Sequence, residues 1–233
     1  MTTYGLVLES GPKRMRTWVQ VPALPGCVFN GPTTDETVAA APDSIQSFLR
    51  FLAGNGEEVD AEQAIEVAIL RHVTDNKWVG FGVELEEDLE PLTRPELEQQ
   101  LRWVTWMRED MLQVLEEVSD EDFGRKPAKG RPLRQIVEHT FGAEYGYVRR
   151  FGKIPGVEGP RKVEAMARPE LMEWMAYVRE RELERLRSFT DEELRAVERA
   201  GSQVRTARSY MRKMLSHQWE HLTEIRERLG KPV

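Results

Sequence analysis

The chain has 233 residues, 40% of them hydrophobic and 31% charged, with a formal net charge of −7. That length accommodates one large or two small domains, each with its own core. The acidic balance argues against a broad nucleic-acid footprint, which needs clustered positive charge, and no apolar run approaches the roughly 20 residues of a membrane span. Cys27 is the sole cysteine, so no disulfide within the chain is expected. The opening "MTTYGLVLES" lacks the basic leader, apolar stretch and cleavage site of a signal peptide, so the expected location is cytoplasmic.

Strand signals dominate up to about residue 90. Segments 3–9 (TYGLVLE) and 17–24 (TWVQVPAL) carry β-branched and aromatic residues in near-alternation, with turn residues between them. Segment 25–31 (PGCVFNG) predicts a third short strand. A helix is expected from Thr34 to Leu52, capped near Thr33–Asp35, with Ile45, Phe48, Leu49 and Leu52 at helical spacing and Gly54-Asn55-Gly56 as its stop. Pro42 inside that span should kink the helix or shift its start, because proline removes a backbone donor and clashes with the preceding turn. Two further segments, EQAIEVAILRHV and KWVGFGVELEED, read as extended, although the first fits a helix equally well.

From about residue 91 the pattern is helical. Thr93-Arg94-Pro95-Glu96 is a capping box with proline in the first turn. The helix it opens carries Leu97, Leu101, Val104, Met107, Met111 and Leu115 on one stripe. Further long helices are expected over 131–150, 169–186 and 206–229, with a short one opened by a second capping box, Thr190-Asp191-Glu192-Glu193. The connection from 151 to 168 is the long one. The expected fold class is α+β: a strand-rich domain over 1–90, then an all-α four-helix bundle over 91–233. VRERELERLR reads as a solvated helix face with i, i+4 pairs.

Three of the four histidines carry the chemical signal. His217 and His221 lie four apart, on neighbouring turns of one helix face, and His139 shares a side of the second long helix with Ile136, Ala143 and Tyr147. Were the two helices to face each other, three imidazoles would hold one divalent transition metal (zinc, nickel, iron or manganese) and leave positions open for substrate. A histidine on an apolar face is equally well a packed core residue. Tyr147 and Tyr210, on the histidine side, are the catalytic candidates, with core packing as the alternative role. Glu138, Glu144, Glu220 and Glu224 are candidate helpers. Trp103, Trp106, Trp174 and Trp219 are expected in packing, and His72 as a solvated or structural residue.

Residues 93–229 resemble the DinB-like family of four-helix bundles. The likeness rests on the first amphipathic helix, on VSDEDFGRKPAKGRPLRQIVEHTFGAEYGYV, and on H-x-x-x-H in the last helix. It implies divalent-metal binding by His139, His217 and His221. It also implies an activity of a thiol-dependent transferase or hydrolase type, with a low-molecular-weight thiol as a cosubstrate beside a small-molecule substrate. Residues 3–52 resemble the HicB-like antitoxin fold, a small β-β-β-α-β unit, on the strength of VPALPGC followed by G-x-T and a helix. That family pairs with a small toxin, usually beside a DNA-binding segment. No ribbon-helix-helix or helix-turn-helix is evident here, and Pro42 departs from the helix pattern. Two classes therefore stand open: a metal-dependent enzyme, and an interaction protein whose bundle metal is structural. A homodimer is compatible with the apolar helix faces.

Overall fold

The computed structural model describes residues 1–11, 16–75, 80, 83–158, 163–200 and 203–232, and the side chains of Ala200 and Gln203 are left aside. The chain divides into two compact units, Met1–Leu89 and Glu90–Pro232.

The first unit is built on a four-stranded sheet of β1 (Thr2–Ser10), β2 (Thr17–Gln20), β3 (Val28–Gly31) and β4 (Ile65–Val73) in the order β3-β2-β1-β4. β1 and β2 pair antiparallel from Val7↔Gln20 to Ser10↔Thr17, and β2 and β3 pair antiparallel from Thr17↔Gly31. β4 returns parallel to β1, with a bulge where Leu6 and Val7 face it. A parallel return needs a helical crossover. α1 (Thr34–Ala39) and α2 (Ala41–Gly54) supply it. The single helix expected from Thr34 to Leu52 is thus two helices broken at Ala40. Pro42 sits in the first turn of α2, where its missing N–H leaves no intrahelical bond unmade. Ile45, Phe48, Leu49 and Leu52 are all buried on α2, as their spacing requires. Across the sheet, Val7 clusters with Val83, Leu85 and the half-buried Val73. EQAIEVAILRHV resolves as strand. KWVGFGVELEED lies partly outside the described residues, and its last part is a 3-10 turn, Glu86–Leu89, in place of the expected strand. His72 is structural: its Nε2 hydrogen-bonds Ser10 Oγ at 2.7 Å.

The second unit holds four long helices: α3 (Arg94–Glu116), α5 (Leu133–Val148), α6 (Arg168–Arg187) and α8 (Ala207–Arg228). Between them lie the short helices α4 (Asp120–Gly124) and α7 (Asp191–Arg195) and a hairpin of β5 (Glu198–Ala200) with β6 (Gln203–Arg205) that the sequence pattern did not signal. Both expected capping boxes form: Thr93 with Glu96 and Thr190 with Glu193. Thr206 caps α8 in the same reciprocal way with Ser209. α8 packs against α3 and α5, and α6 against α5 and α3. The stripe Leu97, Leu101, Val104, Met107, Met111 and Leu115 is buried throughout. Each such side chain contributes about 1.5–3 kcal/mol through removal from water. No helix among the described residues is long and apolar enough to cross a membrane.

Candidate metal centre

The packing of α5 on α8 brings His139 to the His217/His221 pair. Ring centres lie 4.5 Å apart for His217 and His221, 4.8 Å for His139 and His217, and 5.2 Å for His139 and His221. The Nε2 atoms of His139 and His217 are 3.0 Å apart, and one nitrogen from each of the three rings lies within 4.8 Å of the others. Exposure is graded: His221 is buried, His217 half-buried and His139 exposed. The cluster is closed on the α8 side and open at the rim. His139 lies at the rim. The face of α5 that goes inward carries Leu133, Ile136, Val137, Thr140, Glu144 and Val148, and His139 lies beside it.

The electrostatics keep nitrogen lone pairs available. Burial, then the neighbouring His221, His139 and Arg131, push His217 down to about 3. Burial and Arg131 lower His139 too, with Glu224 pulling the other way. Both rings are therefore neutral at pH 7. His221 Nδ1 donates to Glu224 Oε2 at 2.9 Å, which holds the ring in place. That bond holds the Glu224 carboxyl below its ordinary range. Glu224 in turn accepts from Arg228 Nη2 at 2.6 Å. Three imidazole nitrogens, two of them at about the spacing expected for neighbours on one ion at roughly 2.1 Å, fit a divalent transition metal.

Of the candidate helpers, Glu224 alone joins the histidines through a hydrogen bond among those described. Glu138 is taken by Arg134 at 2.7 Å. Glu220 acts on Tyr147, whose hydroxyl is raised by burial first and by Glu220 second. The Tyr147 ring centre lies 6.3 Å from that of His217 and 6.1 Å from that of Tyr210. Tyr210 is buried and continues the aromatic wall to Phe151, at 5.2 Å. Trp103 and Trp219 are buried in packing, while Trp174 stacks on Tyr177 at 5.7 Å.

Glu144 belongs elsewhere, in a charge cluster that sequence reasoning missed. Arg108 of α3 donates through Nη2 to Glu144 of α5 and, at 2.8 Å, to Gln218 Oε1 of α8. Arg179 of α6 pairs with the same carboxylate and donates to the Val104 carbonyl at 2.9 Å. Glu182 lies near both guanidiniums and is pushed up to about 7 by burial against their pull. These residues expose 4% (Arg108), 2% (Glu144), 8% (Arg179) and 2% (Glu182) of their surface. The reading of VRERELERLR as wholly solvated is corrected for two of its members. Arg179 and Glu182 fall in with Leu171, Met175, Val178 and Leu186 on the buried side of α6, and that shared spacing was the available signal.

Fold and site together define a helical unit whose rim presents three imidazole donors backed by a carboxylate. A family model described as the DinB superfamily matches residues 104–225, more than half of the chain, and the chain belongs to that superfamily. The match begins beyond the first unit. No curated protein and no solved structure gives a significant match.

Proposed function

We propose that the chain is a metal-dependent enzyme in which His139, His217 and His221 hold one divalent transition ion, zinc, nickel, iron or manganese. The observation that carries this reading is the convergence of three imidazole nitrogens from two helices within 4.8 Å of one another, one of the rings exposed. When bound, such an ion lowers the pKa of a thiol or water so that the nucleophile is deprotonated near neutral pH. The chain's own groups do the rest. Glu224 orients His221 and strengthens it as a donor. Tyr147 keeps its proton at neutral pH and can donate to a developing anion, with Tyr210 and Phe151 excluding water from that wall. The reaction type is thiol-dependent transfer or hydrolysis of a small molecule, within a four-helix bundle formed by α3, α5, α6 and α8. Screening both reactions with the loaded protein tests this: His217→Ala should abolish turnover, and a variant as active as the parent would overturn it.

One observation favours a second reading, an interaction protein whose metal is structural. β4 is an edge strand of nine residues with Ile69 and Leu70 53% and 62% exposed, a surface that edge strands of isolated proteins usually blunt. The order β1-β2-β3-α1-α2-β4 is compatible with a HicB-like domain offering that edge to a partner. Under this reading His217→Ala leaves partner binding untouched.

A further inference from the structure

The loop that enters α5 carries a cation, Arg131, whose charge acts on two of the histidines and whose backbone is linked to the third. Gly130 adopts φ +86°, a conformation that favours glycine, and a Cβ on it would lie 2.6 Å from Arg228 Nη2. Arg228 Nη1 donates to the carbonyl of Arg131, while Nη2 of the same side chain holds Glu224. The Arg131 backbone is thereby tied to His221 through two side chains, Arg228 and Glu224. Pro132 follows directly and restricts Arg131 to extended conformations. The Arg131 side chain is half-buried, and among the described residues its guanidinium makes no hydrogen bond and no ion pair. Its charge acts on His139, His217 and Glu224 alike.

Most guanidiniums near α8 are matched. Arg226 forks onto Asp110 at 2.6 Å, Arg208 onto Glu96 at 2.8 and 2.9 Å, and Arg228 onto Glu224. Arg131 repels protonated His139 and His217 and attracts Glu224, but among the described residues no carboxylate pairs with it directly. A guanidinium presents a planar fork of donors suited to carboxylate or phosphate oxygens.

We infer that Arg131 is a specificity-determining residue that takes an oxyanion group of the substrate, carboxylate or phosphate, beside the three histidines. This rests on the metal-site reading above. It restricts the substrate class to small acids whose reacting centre lies within an arginine's reach of the metal.

The test uses the full chain loaded with Co(II), as parent, Arg131→Gln and Arg131→Lys, titrated with acetate and separately with methylphosphonate. The visible Co(II) absorption reads binding near the ion. The parent should respond to at least one anion, and whichever binds more tightly names the group. Arg131→Gln should weaken that binding by about ten- to a hundredfold, the usual weight of a charge-assisted contact. Arg131→Lys should recover part of it. Co(II) affinity should be unchanged or higher in Arg131→Gln, because a repelling charge is gone. Equal anion binding by the parent and Arg131→Gln, or none by the parent, would overturn the inference with the metal site intact. Failure of every protein to take up Co(II) would strike the metal reading instead. The same titrations followed by the imidazole proton resonances of His139 and His217 would then decide Arg131 by the same criterion.

Discussion

Two polar clusters occupy the same helices of the second unit and obey opposite rules. His217 and Gln218 are adjacent in sequence, yet one helps form a cluster of imidazoles with an exposed member and the other sits in a buried set of charges. His139 and His217 are held below the ordinary histidine range and one member of the cluster is exposed, an arrangement for binding something from outside. The set of Arg108, Glu144, Arg179 and Glu182 is spent inward, tying α3, α5, α6 and α8 to one another. Such a set fixes register at the expense of stability, since well-packed apolar residues would often do as well or better. The lesson is that charge on a helix is informative by its face. Imidazoles at a rim bind, and charges on the apolar side hold helices in place.

Substitutions separate the two clusters, the largest effect coming from the interior. Arg108→Ala should cost about 3–5 kcal/mol, because it strands Gln218 and half of the Glu144 carboxylate in a dry interior. Chemical denaturation measures it, and a loss below about 1 kcal/mol would show that the cluster is hydrated. Glu224→Gln should leave folding nearly unchanged and weaken metal binding about ten- to a hundredfold, as loss of a carboxylate behind a ligating histidine does. A competition titration against a chromophoric chelator reads that change.

The smallest effects are in pH dependence, where the clusters move in opposite directions. His217 sits at about 3 in the folded metal-free chain, below the ordinary value near 6.5, so the folded state binds fewer protons. Its contribution to stability is complete above pH 6.5 and declines as pH falls toward 3. Glu182 sits at about 7, above the model-peptide range near 4.3, so its contribution is complete below pH 4 and declines as pH rises through 7. Denaturation of the metal-free chain across pH 4 to 8 should therefore lose part of its upper limb in Glu182→Gln and part of its acid limb in His217→Phe. Identical profiles for both variants would mean that neither group is buried as described.

Periodicity and capping made much of the second unit readable. Six apolar residues of α3 fell on one stripe and are buried, and Thr93 and Thr190 cap the helices their boxes announced. These signals are local and depend on backbone geometry alone. The i, i+4 histidine pair was legible for the same reason, whereas the approach of His139 depends on how α5 packs against α8, which periodicity does not encode. Arg179, within VRERELERLR, was misread because a run of charges was taken to mean solvent, and Arg108 drew no reading at all. On an apolar stripe a charge means a partner across the interior. Pro42 was read as a kink or a shifted start, and the chain uses it to begin a new helix. The β5–β6 hairpin, at three residues a strand, is too short to leave an alternating pattern.

The most direct measurement is the metal content of the untagged chain, purified without added metal, beside the variant with His139, His217 and His221 all changed to alanine. The account predicts close to one transition-metal ion per parent chain, retained through dialysis at pH 8, and less than about a tenth of that in the variant. Equal metal in both proteins, or a parent that stays empty after reconstitution with zinc, nickel, iron and manganese in turn, would contradict it.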